Sequence, residues 1–311
     1  MMSSLSTSTQ KHYKGSLEKW TNFCKNENIN PYKPSPQDVI LFLTSRFKGN
    51  SSYSTLNSYR SAISLISTNN IGEHKLVCRF LRGCFKLRPP QSKYNYTWDV
   101  QVVFDHLEQC QDTEELSLQD LSHKTVTLLI LATAQRSQAM AKIKIKDIKC
   151  SETKIEIVIT EILKTSRPGT KQPYIYLPKF NENPKLCVFS TLKEYLRRTK
   201  HLRQKDSYLF ISYEKPHLSV STQTIARWIK STMFKAGIDT STFKAHSTRH
   251  ASTSAAKAAG VDIETIKNTA DWSPKSQVFA KHYDRTIIKE KNTFATDLLN
   301  KRKNQDTCLK H

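Results

Sequence analysis

The chain has 311 residues, with 49 Lys or Arg against 27 Asp or Glu, a net charge of +22 and a hydrophobic fraction of 37%. That length suits about two domains of roughly 100–200 residues each, and the basic excess points to a polyanionic partner, nucleic acid ahead of an anionic membrane surface, rather than to a purely small-molecule enzyme. The opening MMSSLSTSTQKHYKG lacks the apolar run of a secretory signal, and the longest apolar stretch, residues 126–134, is far short of the ~20 residues of a membrane span.

The first 90 residues read as helices. Tyr13, Leu17, Trp20 and Cys24 recur at helical spacing and make one apolar stripe. Ser35, Pro36 and Asp38 then open a second helix with a cap, a first-turn proline and an acid at the positive end. Its apolar run is 39–43, and Gly49 marks its end. A third helix follows Ser54, with Leu56, Tyr59, Ile63 and Ile66 on one face, and a fourth covers 75–86. The segment LRPPQSK then removes backbone donors at Pro89 and Pro90, which makes it an interdomain linker. The expected division is 1–88, a linker at 89–97, and 98–311.

The second part is mixed. Helices are expected at 100–110, 121–134, 190–200, 221–236, 247–259 and 262–269, with helical stretches at 276–283 and 286–299. Residues 154–162 alternate and are rich in β-branched side chains, so they read as a strand, as do 172–177. The Pro168-Gly169 pair makes a turn between them. The fold class is therefore mainly α with a small β-sheet. The seven cysteines, at 24, 78, 84, 110, 150, 187 and 308, form neither a CxxC nor a zinc spacing, so they read as ordinary thiols of a reducing compartment.

Six residues of the second part carry possible chemistry: Arg136, Lys164, His246, Arg249, Trp272 and Tyr283. Singly, each has a plain reading as a solvated cation or a packed aromatic. In this order, and with the run HSTRHASTSAAKAAGVDIETIKNTADWSPKSQVFAKHYDR, the chain resembles the tyrosine recombinases of the phage integrase family. The resemblance spans about residues 10–290. It implies a helical N-terminal core-binding domain and an α+β catalytic domain. KLRPPQSKYNYTWDV further resembles recombinases encoded by eukaryotic DIRS-like retrotransposons, which implies a nuclear location.

The resemblance also implies a reaction. The Tyr283 hydroxyl attacks a DNA phosphodiester, leaving a 3′-phosphotyrosyl link and a free 5′-hydroxyl, with neither metal nor ATP implied. Guanidinium forks at Arg136 and Arg249 suit the charge that gathers on the phosphate oxygens, because they are planar, ionised and bidentate. His246 is the candidate proton acceptor or phosphate contact. Lys164 is the candidate donor to the leaving oxygen. Lys171 lies in the same turn region, and the Lys-Thr at the strand end favours Lys164. Trp272 stands where many members have His, and its indole N–H can donate but cannot act as acid or base. Ala139 stands where many members have an acid, so the set departs from the family there. His250 divides evenly between a supporting role and a surface helix position. Tyr174, Tyr176, Tyr208 and Tyr213 are alternative phenols outside the C-terminal context.

Contacts to double-stranded DNA are expected outside this set. Lys142, Lys144 and Lys146 alternate with apolar residues and would line one face of a strand, as a phosphate-tracking row or a solvated edge. Arg60, Lys86, Arg88 and Lys171 are further candidates. The family works as an oligomer, a dimer on one site and a tetramer in synapsis, with no membrane involved. A type IB topoisomerase shares the catalytic set, and a recombinase-derived DNA-binding protein without catalysis is the third reading.

Overall fold

The computed structural model describes residues 5–91, 95–164, 166, 169, 172–203, 208–273 and 276–288. The chain divides into two compact units, Met1–Lys93 and Tyr94–His311.

The first unit is four helices, α1 (Thr7–Asn26), α2 (Pro36–Lys48), α3 (Tyr53–Ile66) and α4 (Lys75–Leu87). Polar caps set the starts. The Ser35 hydroxyl accepts from the Asp38 amide at 3.2 Å, and the Ser35 amide donates to the Asp38 carboxylate at 2.8 Å, a reciprocal box ahead of Pro36. The third helix starts earlier than expected, because Ser52 rather than Ser54 caps it, accepting from the Thr55 amide at 3.2 Å. Trp20, Phe42, Leu43, Leu56, Tyr59, Ile63 and Leu81 meet in the core. Phe42 lies edge-on to both Trp20 and Tyr59, with ring centroids 5.2 and 5.3 Å apart.

The second unit begins with β1 (Tyr96–Trp98) and continues through α5 (Val100–Glu108), α6 (Leu118–Thr133), α7 (Ser137–Lys142), β2 (Ile148–Cys150), β3 (Lys154–Val158), β4 (Tyr174–Pro178), α8 (Val188–Thr199), α9 (Thr222–Lys235), α10 (Ser247–Ala258), α11 (Ile263–Thr269) and β5 (Thr286–Ile288). Helix α6 is buried along almost its whole length, its polar Ser122, His123, Lys124 and Thr125 included, and is packed by α8 and α9. The sheet order is β2-β3-β4, antiparallel throughout. Ile155, Ile157, Ile175 and Leu177 face the core, while Tyr174 and Tyr176 face out, as the alternation predicts. The fold is thus mostly helical with a small sheet. Among the described residues no helix is long and apolar enough to cross a membrane.

Three expectations are corrected. Lys142, Lys144 and Lys146 do not share a strand. Lys142 ends α7, Lys144 is extended with only an isolated bridge to Tyr208, and Lys146 lies in a 3₁₀ turn, Ile145–Asp147. The Asp147 carboxylate accepts from the Lys144 amide at 3.2 Å and closes that turn, so the pairing starts only at Ile148. The strand at 154–162 stops at Val158, where Thr160 turns aside to donate to Asp147 at 3.0 Å. Residues 286–288 are a strand and not the start of a helix. They pair in parallel with β1, whose Tyr96 and Thr97 fall within the expected linker. The remainder of 286–299 and Lys171 lie outside the described residues.

Candidate active site

Three turns and one helix end converge. Helix α10 begins after His246 and carries Arg249 and His250 on its first turns, both buried. It ends at Gly260, whose φ of +85° suits a residue without a Cβ. Helix α6 ends at Ala134 with a left-handed φ of +49°, and the chain then presents Arg136 at the start of α7. Helix α11 ends at Ala270, followed by Asp271, also left-handed at +54°, and Trp272. Tyr283 closes a wide helical turn, Phe279–Tyr283, in which the Asp284 amide donates to the Phe279 carbonyl at 2.9 Å. Such π-type turns concentrate at functional sites.

The Arg249 guanidinium ties two of these turns together. One amino group donates to the Ala134 carbonyl at 2.7 Å and the other to the Ala270 carbonyl. Gln135 joins the same turns directly, donating to the Thr269 carbonyl at 2.8 Å. Two left-handed non-glycine residues therefore sit on either side of one buried arginine. Strain of this kind, on the order of 1–3 kcal/mol per residue, persists only where surrounding contacts impose it. Its effect here is to aim Arg136 and Trp272 from adjacent turns.

Tyr283 lies inside this frame. Its hydroxyl is 2.9 Å from His246 Nε2. Its ring stacks on His250 with centroids 4.3 Å apart and planes 17° apart, and it tilts against Trp272 at 4.7 Å. The Arg249 guanidinium lies 4.4 Å from the Trp272 ring centre and 5.6 Å from that of Tyr283. The segment is fastened from behind. Ser254 donates to the Tyr283 carbonyl at 2.8 Å and accepts from the Arg285 amide at 3.0 Å, while Lys257 pairs with Asp284 at 2.5 Å. Strand β1 holds β5 just beyond, and Trp98 of β1 donates to Ser247 of α10 at 2.9 Å. The tyrosine is thus seated against residues of its own chain.

Arg136 and Lys164 share a neighbouring depression with Gln138, Ala139 and Asp271. Arg136 is half-buried. Lys164 is exposed on the turn after β3, where the Leu163 amide donates to Ser166 at 3.0 Å. The site is strongly electropositive. Burial, then the neighbouring Arg136 charge, push the Arg249 guanidinium down to about 9, against the pull of Tyr283 and Asp271. The indole N–H of Trp272 is buried and has no hydrogen-bond partner among the described residues. An electropositive centre with an unused donor suits an arriving anion.

The structure therefore brings Tyr283, His246, Arg249 and Trp272 into contact and sets Arg136 and Lys164 side by side. The other candidates lie elsewhere. Lys142 and Lys144 both pair with Glu161, Lys142 at 3.2 Å, while Lys146 is exposed. In the first unit, Arg60 donates to the Gly72 carbonyl at 2.9 Å, Arg88 lies over Phe47 at 4.3 Å, and Lys86 is exposed. Sequence reasoning missed Asp271 and Gln135. Their signal is position alone, since each adjoins a candidate, Trp272 or Arg136.

Burial pushes the His250 ring down to about 4, helped by the charges of His246 and Arg285. Burial likewise pushes His123 on α6 down to about 4. Both rings stay neutral when folded but bind a proton when unfolded below about pH 6.5. The unfolded state then holds more protons, so stability falls as pH drops from about 6.5 to 4, on the order of 3 kcal/mol per ring at most. Urea unfolding at pH 7 and pH 5 checks this. A flat profile over that window contradicts the buried neutral assignment.

The sequence model of the phage integrase family matches residues 101–287, more than half of the chain. No curated protein matches the chain in sequence. Among solved structures, it is similar to the XerH site-specific recombinase bound to a palindromic difH substrate in a post-cleavage complex. The identity is 16% and the TM-score 0.62, over 94% of this chain and 78% of that one. It is also similar to a lambda integrase dimer bound to a COC′ core site, at 14% identity and TM-score 0.55 over 92% of each chain. A third is the Tn1549 transposon integrase in complex with circular intermediate DNA, at 11% identity and TM-score 0.52 over 87% of this chain and 86% of that one. The likeness to these structures is one of fold, and the match to the family model, covering every residue from Arg136 to Tyr283, places the chain: it belongs to the phage integrase family, the tyrosine recombinases.

Proposed function

We propose that the chain is a site-specific DNA recombinase that cuts and rejoins strands through a 3′-phosphotyrosyl intermediate, without metal or ATP. The observation that carries this reading is the Tyr283 hydroxyl, 2.9 Å from His246 Nε2 and beside the Arg249 guanidinium. In the forward step the Tyr283 oxygen bonds to phosphorus and its proton passes to His246. The bond from phosphorus to the 5′-oxygen breaks, and Lys164 supplies the proton that the leaving oxygen needs. Arg136 and Arg249 face the non-bridging oxygens as charge gathers there, and the Trp272 N–H gives one more donor. Rejoining is the same sequence reversed, with a 5′-hydroxyl from another strand as nucleophile.

On this reading residues 1–88 are a core-binding domain and 98–311 the catalytic domain. The protein acts on duplex DNA as a dimer at one site and a tetramer in synapsis. The KLRPPQSKYNYTWDV segment favours a DIRS-like retrotransposon enzyme working in the nucleus. The remaining basic excess is a sequence-blind grip on phosphates. Lys146 is exposed, and so contributes to that grip. Affinity for a random duplex is expected to fall steeply with salt, and Lys146→Ala is expected to make the log–log slope shallower by about 1. An unchanged slope removes Lys146 from the interface.

Capture of adducts from a pool of nicked duplexes tests the function. DNA trapped by a recombinase converges on a paired motif. Unrelated trapped sequences, together with relaxation of a supercoiled plasmid, would instead indicate a type IB topoisomerase. Binding with no adduct on any substrate would indicate a DNA-binding derivative, the reading that Ala139 raises.

A further inference from the structure

A second pocket lies in the catalytic unit, away from the turns that hold Tyr283. It is a cavity of about 240 Å³ among α5, α6 and α9, with His106, Asp120, His123, Lys124, Thr232 and Lys235 in its wall. Asp120, His123 and Lys124 are three and four residues apart on α6, so they share one face. Asp120 is already engaged, with Lys235 of α9 at 3.0 Å.

The other two α6 residues are not. Lys124 is only 2% exposed, and its ammonium nitrogen has no hydrogen-bond partner among the described residues. His123 is 5% exposed, its ring lies against Trp228 and Tyr213 at 5.6 and 5.9 Å, and neither ring nitrogen has a partner among them. Buried polar groups are nearly always hydrogen-bonded, and a buried ammonium is almost always paired. Two adjacent exceptions in one cavity wall mark a place built to be filled. An apolar occupant would leave both donors unmet. An oxyanion meets both, accepting from the ammonium and from the imidazole N–H. Burial lowers the Lys124 pKa, and an anion in the cavity would oppose that shift.

We infer that this cavity is a binding site for a small oxyanion, a carboxylate or a phosphate group, held by Lys124 and His123. The inference does not depend on the recombinase reading, since none of these residues belongs to the Tyr283 site. The ligand sits on α6 beside the Asp120–Lys235 pair that ties α6 to α9, and so stabilises the packing of the catalytic unit.

The test uses the full chain with two probes, inorganic phosphate and acetate, each against chloride at equal ionic strength. At least one probe is expected to raise the thermal midpoint by about 5 °C near saturation, and to shift the His123 resonances in protein carrying ¹⁵N-labelled histidine. Which probe acts separates phosphate from carboxylate. Lys124→Met, an unbranched apolar replacement, is expected to lose the midpoint shift. Equal shifts in wild type and variant overturn the inference, because phosphate held by Arg136 and Arg249 would act alike in both. Unmoved His123 resonances with both probes overturn it as well. That second readout needs only the wild-type chain, so it decides the matter even if Lys124→Met does not fold.

Discussion

Tyr283→Phe is expected to abolish covalent attachment to DNA while leaving the fold and DNA affinity intact. The variant keeps the ring that stacks on His250 at 4.3 Å and leans on Trp272 at 4.7 Å. It loses the hydroxyl, with its hydrogen bond to His246 and its interaction with Arg249, which costs about 1 kcal/mol of stability. Among the described residues, two other phenols are engaged away from it. Tyr174 points its hydroxyl at Glu156 on the sheet, and Tyr213 packs against His123 and Trp228. A nicked suicide substrate, in which the cut strand loses its short 5′-hydroxyl fragment, converts each cleavage into a stable adduct. Denaturing gels then read the yield directly. Wild-type protein accumulates adduct and the Phe variant gives none. Adduct at the wild-type level from the Phe variant would remove Tyr283 from the role of nucleophile.

Arg249→Ala is expected to damage both stability and chemistry, for one structural reason. The guanidinium holds the carbonyls of Ala134 and Ala270, the ends of the two helices that lead to Arg136 and Trp272. Its removal orphans two buried acceptors at about 1–3 kcal/mol each and leaves a cavity, for a total of about 4 kcal/mol. It also takes a cation from the proposed phosphate site, and a single preorganised donor of that kind is worth roughly 10²–10³ in rate. Arg249→Lys separates the effects. Lysine keeps a charge but has no planar fork to span both carbonyls. It should recover part of the stability, measured by urea unfolding, while single-turnover cleavage stays at least about 10²-fold slow. Wild-type cleavage by the Lys variant would show that a charge alone suffices and that the bridge between the turns is incidental.

Much of this architecture is legible in the sequence because short-range chemistry writes it. Ser35 and Asp38 announce the start of α2, and Asp262 caps α11, accepting from the Thr265 amide at 2.9 Å. The isoleucines of β3 alternate, so their core face can be read before any pairing is known. The residues Arg136, His246, Arg249, Trp272 and Tyr283 are legible through the order of their motifs, which carries more than any one of them. Long-range pairing is not legible. Strand β1 has three residues and no pattern, and it exists because β5 lies beside it, some 190 positions later. The lysines at 142, 144 and 146 carry a strand-like alternation, yet Asp147 closes a local turn that overrides it. Asp271 is invisible for a related reason: its part depends on a left-handed backbone and on charges brought from α7 and α10. His250 could be read either way from spacing, and only the stacking on Tyr283 separates the two.

On the proposed function, Tyr283 becomes covalently joined to the 3′ end of a cut strand. Peptide mapping by mass spectrometry tests it most directly, on protein trapped with a nicked duplex and digested with nuclease and trypsin. A nucleotide 3′-phosphate mass is expected on the tryptic peptide 282–285, which carries Tyr283. The same mass on a peptide carrying Tyr174, Tyr176, Tyr208 or Tyr213, or its absence from every peptide of a captured adduct, would contradict it.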